Sequence, residues 1–242
     1  GVEVARPRID QRRAIAGQRG ARDVSYAGMS ISIVVEPHPL LEVGAFVTRL
    51  PRALAEIAAP PEIAALCGPG AAAPMGSSDA VKASVRDLLR QAGFKPSGRS
   101  KPASEYLAAA FAEQRFPRIN AVVDACNAVS LWSGLPISLI DTERLTGALA
   151  IRAAPPGTSY VFNPSGQVID ASGLVCLYDG EGPSGTPVKD AQRTKTHDGS
   201  RSALSIVWGT RALAGRTGEA VRWYRALVGA IDGAVIEDVT LG

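Results

Sequence analysis

Arg115-Phe-Pro-Arg-Ile-Asn-Ala-Val-Val-Asp-Ala-Cys-Asn-Ala-Val-Ser-Leu-Trp-Ser-Gly-Leu-Pro136 is the stretch on which the reading of this chain turns. Pro117 breaks whatever precedes it, and a helix can run from Ile119 to Ser133. Val122, Val123, Cys126 and Val129 mark its buried side, and Gly134 supplies the C-terminal stop. Asn120, Asp124 and Asn127 recur at spacings of four and three and therefore share one face. Such a polar row is costly to bury unless it is paired. It either caps the helix and anchors the preceding loop, or it forms a pocket wall that holds an α-amino group or a terminal ribose.

Downstream, Ala148–Arg152, Ser159–Phe162, Gln167–Ile169 and Leu174–Tyr178 read as short strands between Pro/Gly/Asp/Ser turns. Gly180–Pro187 reads as a flexible loop, Ala203–Trp208 as a strong strand, 217–231 as an amphipathic helix and Val235–Leu241 as a last strand. Upstream, Met29–Val35 and Val43–Val47 are strand candidates. Pro51–Ala59 and Glu62–Leu66 have helical composition, split by Pro60-Pro61. A helix capped by Ser78 or Asp79 runs to Gly93, and another spans Ala103–Glu113. The expected class is α+β, with helices concentrated in the N-terminal half and packed on a mostly antiparallel sheet. The expected organisation is a basic arm over 1–28 and a single domain over 29–242. Within that domain, 29–114 is an N-terminal subregion and 115–210 the core motif region.

Hydrophobic residues make up 46% and charged residues 20% of the 242, which argues for a globular chain and against disorder. No apolar run reaches 18 residues, and Ile31–Val35 is too short for a signal-peptide core, so the expected location is the cytoplasm, with no membrane partner. A net charge of +3 is too small for a dedicated nucleic-acid clamp but leaves room for a few phosphate contacts. Arg6, Arg8, Arg12, Arg13, Arg19 and Arg22 crowd the arm, which is either solvated or laid on RNA. Cys67, Cys126 and Cys176 are far apart among apolar residues and read as buried thiols. With only His38 and His197 beside them, no metal site is expected, and no cofactor. Phosphate-binding glycine loops and a Gly-x-Ser-x-Gly nucleophile elbow are both missing from the sequence.

The quoted stretch, continued at Asp141 by Asp-Thr-Glu-Arg-Leu-Thr-Gly-Ala-Leu-Ala-Ile-Arg152, resembles the B3/B4 editing domain of the bacterial phenylalanyl-tRNA synthetase beta chain. Leu174-Val-Cys-Leu-Tyr-Asp179 resembles a strand of the same family. Gly93, Lys95, Pro96, Ser97, Arg99 and Ser104-Glu105, with Arg193-Thr-Lys-Thr196, are similar to free-standing members. The resemblance covers roughly residues 30–210. It implies a protein that acts in trans on aminoacylated tRNA, hydrolysing the ester of a wrong amino acid by means of a positioned water. Non-hydrolytic binding or delivery of aminoacyl-tRNA, including use in an aminoacyl-transfer pathway, is a second reading. A fold-only interaction module is a third.

Carried onto these residues, the implied catalytic set is Asn127, Ser138, Lys195 and His197. Asn127 and Ser138 would orient substrate or water, Lys195 would stabilise charge, and His197 is a candidate base. Asn120, Asp124, Asp179, Thr194 and Thr196 are expected to bind substrate. Lys95, Arg99, Lys101, Arg193 and Arg201 are expected to meet tRNA. One position departs from the family pattern: Ser138 stands where the synthetase motif carries a histidine.

Overall fold

A computed structural model describes residues 30–242, so the expected basic arm over 1–28 lies outside the described residues. Two strands open the described chain, β1 (Ser32–Val35) and β2 (Leu41–Arg49). Four helices follow: α1 (Pro61–Leu66), α2 (Asp79–Arg90), α3 (Ala103–Ala112) and α4 (Ala121–Ser133). Strands β3 (Ile137–Asp141), β4 (Leu149–Ala153), β5 (Ser159–Val161), β6 (Val168–Asp170), β7 (Val175–Asp179), β8 (Gly182–Gly185) and β9 (Ser202–Thr210) come next. Helix α5 (Arg216–Gly229) and strands β10 (Val235–Asp238) and β11 (Thr240–Leu241) close the chain. The class is α+β. Helices are not confined to the first half, since strands precede them and α5 packs against α4 and β2 near the end of the chain.

One sheet has the order β10-β2-β9-β3 and is antiparallel throughout. The other has the order β11-β1-β4-β7-β8, with β1 parallel to both its neighbours. A small β5-β6 hairpin stands apart. Side chains alternate across a strand, and β9 shows what this does here. Leu204, Ile206 and Trp208 join the core shared with the five-stranded sheet, while Ala203 and Val207 join the core shared with α1, α4 and α5. Every residue of β9 is buried, as a strand between two layers must be.

Three local expectations changed. Pro51–Ala59 holds only a short 3-10 turn, Leu54–Glu56, because the Leu54 and Ala55 amides donate to the Ser200 and Asp198 carbonyls rather than along a helix. Gly180–Pro187 is not a free loop: β8 pairs with β7, and Ser184 to Pro187 are buried. Its glycine serves close approach, since a Cβ at Gly185 would stand 3.3 Å from both Ile140 and Ser138. Ile137–Asp141, to which the sequence reading gave no element, is a fully buried edge strand.

Candidate functional site

Helix α4 begins where the Asn120 side chain accepts the Val123 amide at 3.0 Å and so satisfies an otherwise orphan donor. It ends at Gly134, whose φ of 71° suits a residue without a Cβ. Between these limits its residues are buried, except Val123, Asn127 and Trp132, which are half-buried. Val123 and Asn127 face a cleft of about 370 Å³ bounded by α4, by Ala103 at the start of α3, by β3 and by the segment 190–198. Ile119, Val123, Ile137 and Leu139 give it apolar walls. Asn127, Asp190, Lys195 and Thr196 supply polar groups, with Asn120, His197 and Asp198 also in its lining. Among the described residues, the Asn127 amide and the Thr196 hydroxyl have no protein partner.

Segment 190–198 is held against the edge of β3. Lys195 bridges to Ile140 through the backbone, and the Thr194 hydroxyl, fully buried, donates to the Ser184 carbonyl at 3.0 Å. The Lys195 ammonium donates to the Phe162 carbonyl at 2.5 Å. Burial lowers its pKa from the ordinary lysine value, while the charge of Asp190 works the other way. The Asp190 carboxyl accepts the Leu139 amide at 3.1 Å and the Thr186 amide at 3.0 Å.

Of the expected site residues, the structure brings Asn120, Asn127, Lys195, Thr196 and His197 to this one cleft. Asp124, Ser138, Asp179, Thr194 and Arg193 do not line it. Asp124 binds the Arg118 guanidinium at 2.9 Å and the Ile119 amide at 2.8 Å, which anchors the loop into α4. Ser138 is fully buried, accepting the Trp208 indole N–H at 2.8 Å and donating to the Thr186 carbonyl at 3.1 Å. Strand alternation explains this: Ile137 and Leu139 face the cleft, so Ser138 must face away. Arg193 grips Asp179 with two bonds of 2.8 and 2.6 Å, tying the end of β7 to β8.

His197 is half-exposed at the cleft edge. Its Nδ1 accepts the Gly199 amide at 3.1 Å, and its Nε2 lies 3.3 Å from Asp141 Oδ2. Asp141 Oδ2 also accepts the Ser200 hydroxyl at 2.6 Å. Nδ1 is thus taken by the Gly199 amide, and Nε2 faces the Asp141 carboxylate.

Lys95, Arg99 and Lys101 are exposed on the crossing that leads to Ala103, and Arg201 is exposed beyond His197. The Ala103 amide donates to the Pro187 carbonyl at 2.9 Å, which joins that crossing to the turn carrying Lys189 and Asp190. Burial, then the nearby charges of Arg99 and Lys195, lower the Lys189 pKa, so three basic side chains stand near one another at this mouth. Asp190 is the cleft residue that the sequence did not single out. The weak signal available was a lone acid beside the Arg193–Thr196 run.

Residues 95–213 match the sequence model of the B3/4 domain family. Over that stretch the chain is B3/4-like. Every cleft residue named above falls inside the match. A solved structure of an N-terminal fragment of the phenylalanyl-tRNA synthetase beta-subunit from Pyrococcus horikoshii is similar at 11% identity and a TM-score of 0.46. The similarity covers 87% of this chain and 52% of that one, so the chain spans about half the length of that fragment. No curated protein matches the sequence. Among the described residues of this B3/4-like chain, no helix is long and apolar enough to cross a membrane.

Proposed function

We propose that this B3/4-like protein binds aminoacylated tRNA in trans and hydrolyses the ester of a wrong amino acid inside the cleft. The observation that carries the reading is the cleft itself. Apolar walls surround an amide, a hydroxyl, an ammonium and a carboxyl, of which the Asn127 amide and Thr196 hydroxyl have no partner among the described residues. Ligand sites are built in this way, with a few placed polar groups in an apolar recess. The sequence resemblance supplies the substrate class, and the basic crossing and turn beside the mouth suit RNA phosphates.

An aminoacyl ester is already activated. The site therefore needs a held water, donors for the developing oxyanion and walls that sort side chains by size. In this reading Asn127 orients the ester, the Lys195 ammonium faces the oxyanion and Thr196 meets the ribose or the α-amino group. Ile119, Val123, Ile137 and Leu139 contact the amino-acid side chain, and Arg99, Lys101 and Lys189 meet the acceptor end. The test is a deacylation screen over a full panel of misacylated tRNAs, with the Asn127→Ala variant beside the wild type. Selective hydrolysis that the variant loses supports the reading. Binding of aminoacyl-tRNA without hydrolysis replaces it with the carrier reading.

A further inference from the structure

Asp190 occupies the cleft under unusually firm support. Strand β3 lies at the edge of its sheet; the Lys195 backbone bridges to it at Ile140, and the outward Leu139 amide has no strand partner. The Leu139 amide donates to Asp190 Oδ2, and the Thr186 amide to Oδ1. The turn 186–190 is closed around the Thr186 hydroxyl, which accepts the Val188 amide at 3.3 Å and the Lys189 amide at 3.1 Å. Tyr160 locks it from the other side by donating to the Lys189 carbonyl at 2.6 Å. The two carboxylate oxygens have four acceptor directions; the two amides and the Ser138 hydroxyl take up to three of them and leave at least one open. Asp190 is half-buried and lines the cleft together with Asn127 and Lys195.

We propose that Asp190 is the general base of this cleft, taking a proton from the water that attacks the aminoacyl ester. This rests on the deacylase reading above. The water oxygen bonds to the ester carbon, its proton passes to the Asp190 carboxylate, and the carbonyl π pair moves onto the carbonyl oxygen beside Lys195. Collapse restores the carbonyl and expels the ribose oxygen, which recovers the proton from Asp190. The products are the free amino acid and tRNA with a free terminal hydroxyl, and no other reactant is consumed.

The electrostatics of the cleft support the assignment. Burial pushes the Asp190 carboxyl up to about 6, against the pull of the Ser138 hydroxyl, the two amides and the Lys195 charge. A base so placed is ionised at neutral pH yet still basic enough to accept a proton. Lys195 faces it from its own segment, and the Ser138 hydroxyl reaches it from the side of β3 turned away from the cleft. The other titratable groups coupled to it are Cys126 of α4, Tyr160 of β5 and Tyr224 of α5, all held neutral by burial. His197 and Asp198 line the same cleft.

The test uses the full chain and the misacylated tRNA that it deacylates fastest. For the wild type, kcat is expected to fall along a one-proton limb as pH drops through about 6. Asp190→Asn is expected to lower kcat about a hundredfold or more, with little change in KM, and to abolish the limb. Lys195→Met removes a charge that holds the carboxyl down, so its limb is expected to move to higher pH. That shift decides the matter where Asp190→Asn, which keeps one acceptor oxygen for two amides, fails to fold. A limb that is absent from the wild type or that does not move in Lys195→Met overturns the assignment, as does an Asp190→Asn variant within about threefold of wild type. The deacylase reading survives either result. Hydrolysis of no tRNA in the panel removes that reading and the base with it.

Discussion

Arg193→Ala tests how the segment beside the cleft is held. Asp179 has a fully buried side chain and accepts four hydrogen bonds: two from Arg193, one from the Thr146 amide at 3.2 Å and one from the Glu181 amide at 3.0 Å. Arg193 also donates to the Gly182 and Pro183 carbonyls and the Ser184 hydroxyl. Truncation leaves a buried carboxylate with two amides and no cation. Breaking a buried pair in this way costs about 3–5 kcal/mol. The arginine side chain is itself 29% exposed, and water can replace part of what it gives, so the lower half of that range, about 3–4 kcal/mol, applies. For a chain of this size that corresponds to a fall of roughly 10 °C in Tm.

The pH dependence of that loss has a definite sign. Burial alone would raise the Asp179 pKa, yet the Arg193 bonds and charge and the two amides hold it below its ordinary value. Its stabilisation is therefore complete above the unfolded aspartate pKa and is lost only as pH falls below it. In Arg193→Ala burial wins, the carboxyl protonates at higher pH, and the gap to wild type narrows on acidification. Thermal and urea unfolding at a series of pH values provide the assay. A loss under about 1 kcal/mol at neutral pH, or a gap that widens on acidification, refutes the reasoning.

Ser138→Ala strands the Trp208 indole N–H and is expected to cost about 1–3 kcal/mol in urea unfolding. Asn127→Ala removes a half-buried amide with no partner, so its stability is expected within about 0.5 kcal/mol of wild type while deacylation falls at least about tenfold; calorimetry and single-turnover rates check the two halves. Gly185→Ala pushes a methyl against β3 and is expected to cost about 1–3 kcal/mol by the same unfolding assay. Reversing charge at Arg99 and Lys101 is expected to weaken tRNA binding, with a salt slope shallower by about one for each phosphate left without its cation, measured by titration at several salt concentrations.

The helices were the most legible part of the sequence. Ser78 caps α2 by accepting the Val81 amide at 3.3 Å, and the apolar spacing of Val81, Val85, Leu88 and Leu89 matches its buried side. Gly134 ends α4 as its position implied. Strand β3 escaped because Ile-Ser-Leu-Ile-Asp is a short run whose alternation breaks at Leu139-Ile140, and β8 because Gly-Pro-Ser-Gly carries turn chemistry while its pairing is set by β7 and Arg193. The cleft was half legible. Asn127 and Lys195 stood out as polar residues in ordered motifs, but the facing of Ser138 depends on the alternation of an unforeseen strand. Asp190 depends on an edge amide some fifty residues away, and no local pattern announces such a pairing.

Whether water in this cleft cleaves aminoacyl esters is tested most directly by single-turnover deacylation of the misacylated tRNA panel in water enriched in oxygen-18, with the released amino acid analysed by mass. The expected result is release from a restricted set of tRNAs, with one heavy oxygen in the carboxyl of each freed amino acid and an unlabelled terminal hydroxyl on the tRNA. Aminoacyl-tRNA that binds yet stays intact through many half-lives of the uncatalysed reaction, or a freed amino acid without the label, would contradict it.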